Sequence, residues 1–333
     1  MKKNIVFSGI QPSGKLTIGN YIGAIKQWVK MQNKYNCFFC IVDLHTITFK
    51  KKNFDLNNAI LDTLSIYLAC GINPKKSVIF IQSHISEHTQ LSWILNCYSY
   101  YGELKRMTQF KNKLIKYNFK NINSGIFFYP ILMASDILLY QTSYVPIGED
   151  QKQHIELCRN IANRFNNNYG NIFNIPKPCI LKYGSKILSL QETKKKMSKS
   201  DNNYNNIIYL LEKKENIFKK IKLAKTDSDK TRKIKYDIIN KPGISNILNI
   251  FASLTGEKIT NIVKNFNGKM YNDLKYETSK VLIYFLEKIQ ENYYNIRNKE
   301  SFLKDIIYDG NIKAKKIAKI NFLKIKKKIN LLK

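Results

Sequence analysis

The chain has 333 residues, 44% of them hydrophobic and 12% aromatic, which supports a sizeable core and excludes a disordered or fibrous protein. Lysine and arginine number 56 against 24 acidic residues, and the net charge of +32 suits a polyanionic partner, although only five of the basic residues are arginine and much of the lysine can equally be solvated surface. The apolar run near the N-terminus, Ile5-Val6-Phe7, is too short for a signal-peptide core and no later stretch approaches a membrane span, so a soluble cytoplasmic protein is expected.

In chain order, Ile5-Val6-Phe7 reads as a parallel strand that ends at Ser8-Gly9 and opens into a turn at Pro12-Ser13-Gly14. A helical period over about 17–35 follows, carried by Ile18, Tyr21, Ile22, Ile25, Trp28, Val29 and Gln32. Residues 38–42 form a continuous apolar strand, 56–70 a helix stopped by Gly71, and 77–82 a further strand. Strands alternating with helices predict an α/β fold with a parallel sheet. Farther on, 129–140 reads as a helix with Pro130 in its first turn, and 187–190 as a strand before the lysine-dense stretch 194–199. Beyond about residue 205 the pattern is mostly helical and lysine-rich, without repeats or a long linker.

Six cysteines and four histidines raise the question of a metal. Cys37 and Cys40 form a Cys-x-x-Cys pair, but inside a strand side chains three apart face opposite sides, and His45, His84, His88 and His154 show no ligand spacing. No metal site is expected; buried cysteines of a reducing compartment are.

Two loops carry chemistry. Gly9-Ile-Gln-Pro-Ser-Gly14-Lys15 matches the opening of a P-loop, and the run before Asp43 resembles a Walker B strand. A P-loop needs Ser or Thr after its lysine, and Leu16 stands there; Pro12 also removes a backbone N–H that would cradle phosphate. The residues that follow, Thr17-Ile18-Gly19-Asn20, open a helix whose free N–H groups attract phosphate, with Thr17 equally readable as an ordinary N-cap. The second loop is Lys194-Lys195-Lys196-Met197-Ser198-Lys199-Ser200. Displacement at the α-phosphate of a nucleotide needs positive charge on the departing pyrophosphate, and lysines flanking a serine supply it.

Thr-Ile-Gly-Asn paired with a later Lys-Met-Ser-Lys-Ser resembles the two signatures of the class I aminoacyl-tRNA synthetases. Segments 7–14, 36–43, 102–111, 148–156 and 241–246 look like those of the bacterial-type tryptophanyl-tRNA synthetases, over nearly the whole chain. Lys186, in place of a frequent arginine, and Asn202, in place of a frequent proline, depart from that pattern and put loop geometry in question.

The resemblance implies a Rossmann-like class I synthetase catalytic domain with a parallel sheet over 1–204, carrying a helical insertion at about 85–135 as dimer interface. It further implies a helical anticodon-binding domain over 205–300 and a tail, 301–333, packing back on the catalytic domain. ATP with its Mg²⁺ would lie against Gln11, Pro12, Ser13, Gly19, Asn20, Gly148, Glu149, Asp150 and Ile187. It would be closed upon by Lys196, Met197, Ser198, Lys199 and Ser200, with Lys196, Lys199, Thr17 and Asn20 as the catalytic set and Lys111 and Lys113 as weaker candidates. Tyr129, Met133, Asp136 and Tyr140 share one helix face, and an Asp in so apolar a segment needs a donor, or else a nearby lysine or buried amide. The resemblance puts Asp136 against an indole N–H. Phe7, Gly9, Met133, Val145 and Ile147 would surround the ring, and Tyr129, Gln151 and His45 would lie near the ammonium group. The partners implied are tRNA(Trp), L-tryptophan and ATP, in a homodimer with no membrane association. Tyrosyl-tRNA synthetase is the nearest alternative; a P-loop NTPase and a non-catalytic basic RNA-binding protein are the alternatives of other classes.

Overall fold

The computed structural model describes residues 3–48, 53–111, 123–180, 187–199, 201–227 and 233–331. Five strands, β1 (Ile5–Ile10), β2 (Asn36–Ile41), β3 (Ser77–Ile81), β4 (Tyr144–Ile147) and β5 (Lys177–Ile180), form one sheet in the order β3-β2-β1-β4-β5. Every pairing is parallel, with Phe7 beside Phe38 and Phe39 beside Ile79. Strand order reverses at β1, so a crevice opens at the carboxyl ends of β1 and β4, where ligands of such sheets bind. Cys37 and Cys40 on β2 pack into separate cores on the two sides of the sheet, as their spacing predicts.

The helical run after β1 is α-helical at Ile18–Asn20, widens to a π-helical turn at Tyr21–Ile25, and returns to α at Lys26–Met31. Its inner face seats Trp28, stacked on Phe39 at 4.8 Å and edge-on to Tyr67 at 5.4 Å. The helix Leu56–Ala69 starts where Asp55 accepts the Asn58 N–H at 3.0 Å, and ends at Gly71, whose φ of 100° favours glycine.

The helices Glu87–Asn96, Tyr101–Lys105 and Ser124–Leu138 lie between β3 and β4. The last begins earlier than its sequence suggests. Asn123 caps the Ile126 N–H at 3.1 Å, so Pro130 falls in the second turn rather than the first, where it withdraws one helical hydrogen bond. Residues 187–190 form no strand of the sheet; Leu188 instead makes an isolated antiparallel bridge with Lys196, with Met197 N–H donating to Ile187 O and Ser189 N–H to Lys195 O, each at 2.9 Å.

The later part of the chain is built from helices Lys214–Leu223, Pro242–Thr255, Ile259–Asn265 and Tyr271–Arg297. A buried ion pair, Lys220 with Glu212 at 2.6 Å, joins the first of these to the segment before it; Lys220 also bonds the Ile207 carbonyl and lies 3.2 Å from the Tyr204 ring centroid. The final helix, Glu300–Lys328, runs back along the outer edge of β3, where Asn311 Oδ1 accepts the Ile81 N–H at 3.2 Å. An unpaired strand edge is thereby covered, and the opposite edge, β5, is short and carries Pro178. Among the described residues no helix is long and apolar enough to cross a membrane.

Gly310 marks the closest approach of that final helix to the sheet: a Cβ there would lie 1.7 Å from the Ile79 carbonyl oxygen. Gly310→Ala must push helix and strand apart, and is expected to lower the unfolding free energy by about 1–3 kcal/mol, measured by urea denaturation.

Candidate active site

The carboxyl ends of β1, β2, β3 and β4 bring four short loops together. At the first, Gly9 lies so close to β2 that a Cβ would meet both the Cys40 carbonyl and Val42 Cγ1 at 2.9 Å, leaving room for glycine alone. At the second, Asp43, which the sequence makes resemble a Walker B acid, accepts the Leu44 N–H at 3.1 Å and the Ser83 N–H at 3.0 Å. It ties the ends of β2 and β3 together.

A cavity of about 290 Å³ opens beside these loops. All nine residues expected around an amino acid line it: Phe7, Gly9, His45, Tyr129, Met133, Asp136, Val145, Ile147 and Gln151. Phe7 stacks on Tyr140 at 5.7 Å. Tyr129 hydroxyl pairs with His154 Nε2 at 2.8 Å, and burial pushes its phenol well above the usual range.

Asp136 forms the polar end of the cavity and is 1% exposed. Oδ1 accepts from His88 Nδ1 at 2.6 Å, Oδ2 from His45 Nε2 at 2.9 Å, and Gln82 Nε2 donates to both oxygens at 2.8 Å. Burial alone would raise this carboxyl; the hydrogen bonds from His45 and His88, and their charge when protonated, overcome it and hold the group well below the usual carboxylate range. Neither His88 nor Gln82 was singled out by the sequence, and the donors that answer Asp136 prove to be two imidazoles and a buried amide rather than a lysine. Their only sequence signal is a polar Gln82-Ser83-His84 break after an apolar strand and a histidine within the following helix.

The two signature loops meet on the other side. Thr17 caps its helix: its Oγ1 accepts the Asn20 N–H at 3.2 Å while its own N–H donates to Asn20 Oδ1 at 3.0 Å. Thr17 is only 1% exposed, and its hydroxyl caps the helix end. Around Gly19 stand Met197 and Ile187, whose Cβ atoms would be 3.7 and 3.8 Å from a Cβ on the glycine, so these three residues converge.

Lys199 Nζ donates to the Gln11 carbonyl at 2.8 Å, and Lys196 pairs with Asp150 at 2.7 Å. Asp150 is half-exposed; partial burial raises its carboxyl and the Lys196 hydrogen bond lowers it, for a net depression that solvent screens. Pro12 and Ser13 occupy the turn after β1, Glu149 and Asp150 the single 3₁₀ turn after Gly148, and Ser198 the lysine loop itself. Asn206, fully buried, clasps the base of the lysine loop by donating to Asp201 at 2.9 Å and Glu192 at 3.3 Å. Ser200, Lys113 and Lys186 lie outside the described residues, and Lys111, in helical backbone, is not among the residues that line the cavity.

The family model described as tRNA synthetases class I (W and Y) matches residues 1–287. The tryptophan–tRNA ligase of Buchnera aphidicola subsp. Schizaphis graminum is 56% identical over 315 residues, 94% of either chain. Tryptophanyl-tRNA synthetase from Mycoplasma pneumoniae superposes with a TM-score of 0.92 at 34% identity, covering 100% of this chain and 99% of its own. The Campylobacter jejuni enzyme, solved with ADP and tryptophan, gives 0.79 at 34% identity, over 98% and 100% of the two chains.

The sign of the Asp136 shift sets an acid dependence. A carboxyl depressed in the folded state adds stability that is complete above its unfolded value, about 3.9, and is lost as pH falls towards its folded one. Stability of the parent should therefore fall below about pH 5 with a contribution approaching about 1.4 kcal/mol per pH unit that Asp136→Asn lacks, read from urea unfolding at stepped pH.

Proposed function

The chain belongs to the class I tRNA synthetases of the tryptophan and tyrosine group and is a tryptophan–tRNA ligase; we propose that the Asp136 cavity reads the amino acid and the lysine loop drives its activation. The observation that carries this reading is the cavity itself, which ends in a buried acceptor on one side and touches Gly148 and Gln11, neighbours of both lysines, on the other.

Indole N–H is a donor with no acceptor function, and an ionised carboxylate accepts only. Asp136 at the end of an apolar slot therefore rewards indole and gains no hydrogen bond from phenylalanine. A site built around one such bond rejects the analogue lacking it by about 10⁴–10⁵-fold. Tyrosine could offer its hydroxyl as donor, but at a different depth, which is why the tyrosyl alternative fits less well.

In the first step the tryptophan carboxylate attacks the α-phosphate of ATP in line and pyrophosphate leaves; Mg²⁺ enters as part of the nucleotide substrate. The amino acid would be turned by Phe7, Met133, Val145 and Ile147 about the ring, with Tyr129, Gln151 and His45 towards its ammonium end. Gly19, Ile187 and Met197 would bracket the adenine, and Gly148 with Glu149 and Asp150 would face the ribose. Lys199 and Lys196 would leave Gln11 and Asp150 for the phosphates, so that positive charge rises on the leaving group where negative charge develops. Positioning and electrostatics suffice, and no side chain is assigned as a general base. In the second step the terminal ribose hydroxyl of tRNA(Trp) takes the acyl group from the adenylate and AMP departs.

The helices over 205–300 are proposed to read the anticodon, and the surplus of lysine to meet its phosphates. The helices between β3 and β4 leave Trp93 73% exposed with Tyr100, Tyr101 and Phe128 also at the surface, a patch suited to a second copy in a homodimer. A cytoplasmic setting accords with six unpaired cysteines.

Amino-acid-dependent ATP–pyrophosphate exchange tests the reading directly: exchange with tryptophan alone is expected, and exchange with tyrosine would overturn the pocket. Lys199→Ala should lower the exchange rate by about 10²-fold or more while tryptophan binding changes little. Asp136→Asn should erode the preference for tryptophan, measured as the ratio of kcat/KM values over phenylalanine and tyrosine.

A further inference from the structure

Asp136 has four strong donor contacts, yet only one of its donor residues, His45, lines the cavity. His88 and Gln82 are both 0% exposed and stand behind the carboxylate. Each is fixed in turn. Gln82 Oε1 accepts the Leu44 N–H at 3.2 Å, which forces its amide nitrogen towards Asp136. His88 Nε2 meets the Tyr140 hydroxyl at 2.9 Å, and its carbonyl accepts Ser135 Oγ at 2.6 Å. Because a carboxylate can only accept, His88 must carry its proton on Nδ1. A carboxylate offers about four acceptor positions; Gln82 bridges both oxygens, His88 takes Oδ1 from behind the cavity, and His45, which lines the cavity, takes Oδ2.

We propose that His88, supported by Gln82 and Tyr140, is the positioning residue that keeps Asp136 an oriented, acceptor-only carboxylate for the indole N–H. His88 lies outside the cavity lining and acts on the substrate only through Asp136. Among the described residues no lysine or arginine is bonded to this carboxylate, so its ionisation depends on the Gln82 amide and on imidazole. The titratable groups around it are His45 from the turn after β2, Cys40 on β2, His88 and Glu87 in the helix after β3, Tyr140 beyond the 124–138 helix, and Cys158 in the helix Lys152–Tyr169. Burial pushes Cys40, Tyr140 and Cys158 upwards, which leaves the two histidines to answer the charge. Without His88, Oδ1 keeps only the Gln82 amide it shares with Oδ2 and takes a proton more readily, and a protonated Asp136 loses the acceptor that selects indole.

This inference rests on the reading of Asp136 as the indole acceptor. The test is tryptophan-dependent ATP–pyrophosphate exchange of the full-length protein between about pH 5.5 and 9, with H88L, H88N, Y140F and D136N beside the parent. H88L is expected to raise the KM for tryptophan about 10- to 100-fold with the KM for ATP changed by less than about twofold, the loss of one charge-assisted hydrogen bond. Its kcat/KM for tryptophan should also acquire an acid limb, rising with pH as the freed carboxyl ionises. H88N restores an N–H where Nδ1 stood, and should return both the KM and the flat profile towards the parent. Y140F, the mildest change, should raise the tryptophan KM by about two- to tenfold and decides the matter if H88L does not fold. Equal losses for tryptophan and ATP in H88L with the parental pH profile, or a folded Y140F with the parental KM, would overturn the role of His88. If D136N itself leaves amino-acid preference unchanged, the pocket reading falls and takes this inference with it; if D136N shifts preference while H88L keeps the parental profile, only the inference falls.

Discussion

A carboxylate buried at the carboxyl end of a parallel sheet is the constraint from which the rest of the site follows. Asp136 cannot be carried into an apolar interior without donors, and the donors come from three separate elements: the turn after β2, the turn after β3, and the helix beyond it. Each must therefore hold its place to within hydrogen-bond tolerance. Asp43 contributes by joining the ends of β2 and β3 through backbone N–H groups, and Gly9 by letting β1 close against β2. The polar end of the cavity is in effect the meeting point of three strands.

The nucleotide side is organised by weaker and more exposed contacts. Leu16 and Ile18 bond to Leu210 and Ile208, and Asn206 clasps the stem of the lysine loop, so the two signatures are joined through the same short return segment. Lys196 is held by a half-exposed ion pair, and Lys199 bonds a backbone carbonyl. Such contacts are cheap to exchange for phosphate oxygens, in contrast with the buried network around Asp136. Rigidity lies where the amino acid is discriminated, and adaptability where charge must be delivered.

Much of this was legible in the sequence, for definite reasons. β1, β2 and β3 are apolar on both faces, and the helix Leu56–Ala69 has a capping Asp55 and a stopping Gly71, so composition and period agree. β4 and β5 each contain proline and only four residues, signals that ordinarily argue against a strand; their pairing is imposed by β1 and the helices around them. Pro130 misled the helix start because Asn123 caps the chain well ahead of it. The segment 187–190 looked like a strand, but its partner is the lysine loop itself. The sequence singled out the candidate residues that stand inside a motif, but not His88 and Gln82, isolated polar residues with meaning only in three dimensions. Thr17 was read from its motif as either a phosphate contact or an N-cap, and the structure shows it capping the helix.

The placement of the final helix has a consequence for how the molecule comes into being. Ala314, Ala318, Phe322 and Ile325 complete the same core that contains Phe7, Phe80 and Tyr140, and Asn311 closes the edge of β3. These groups leave the ribosome after everything else in the sheet has been made. Through most of synthesis, β3 is thus an open template for another strand, and the core behind the amino-acid cavity lacks one wall. Maturation of the pocket is a late event, coupled to docking of the last helix, and a nascent chain stalled before it would hold both signature loops without the packed wall needed to tell one amino acid from another.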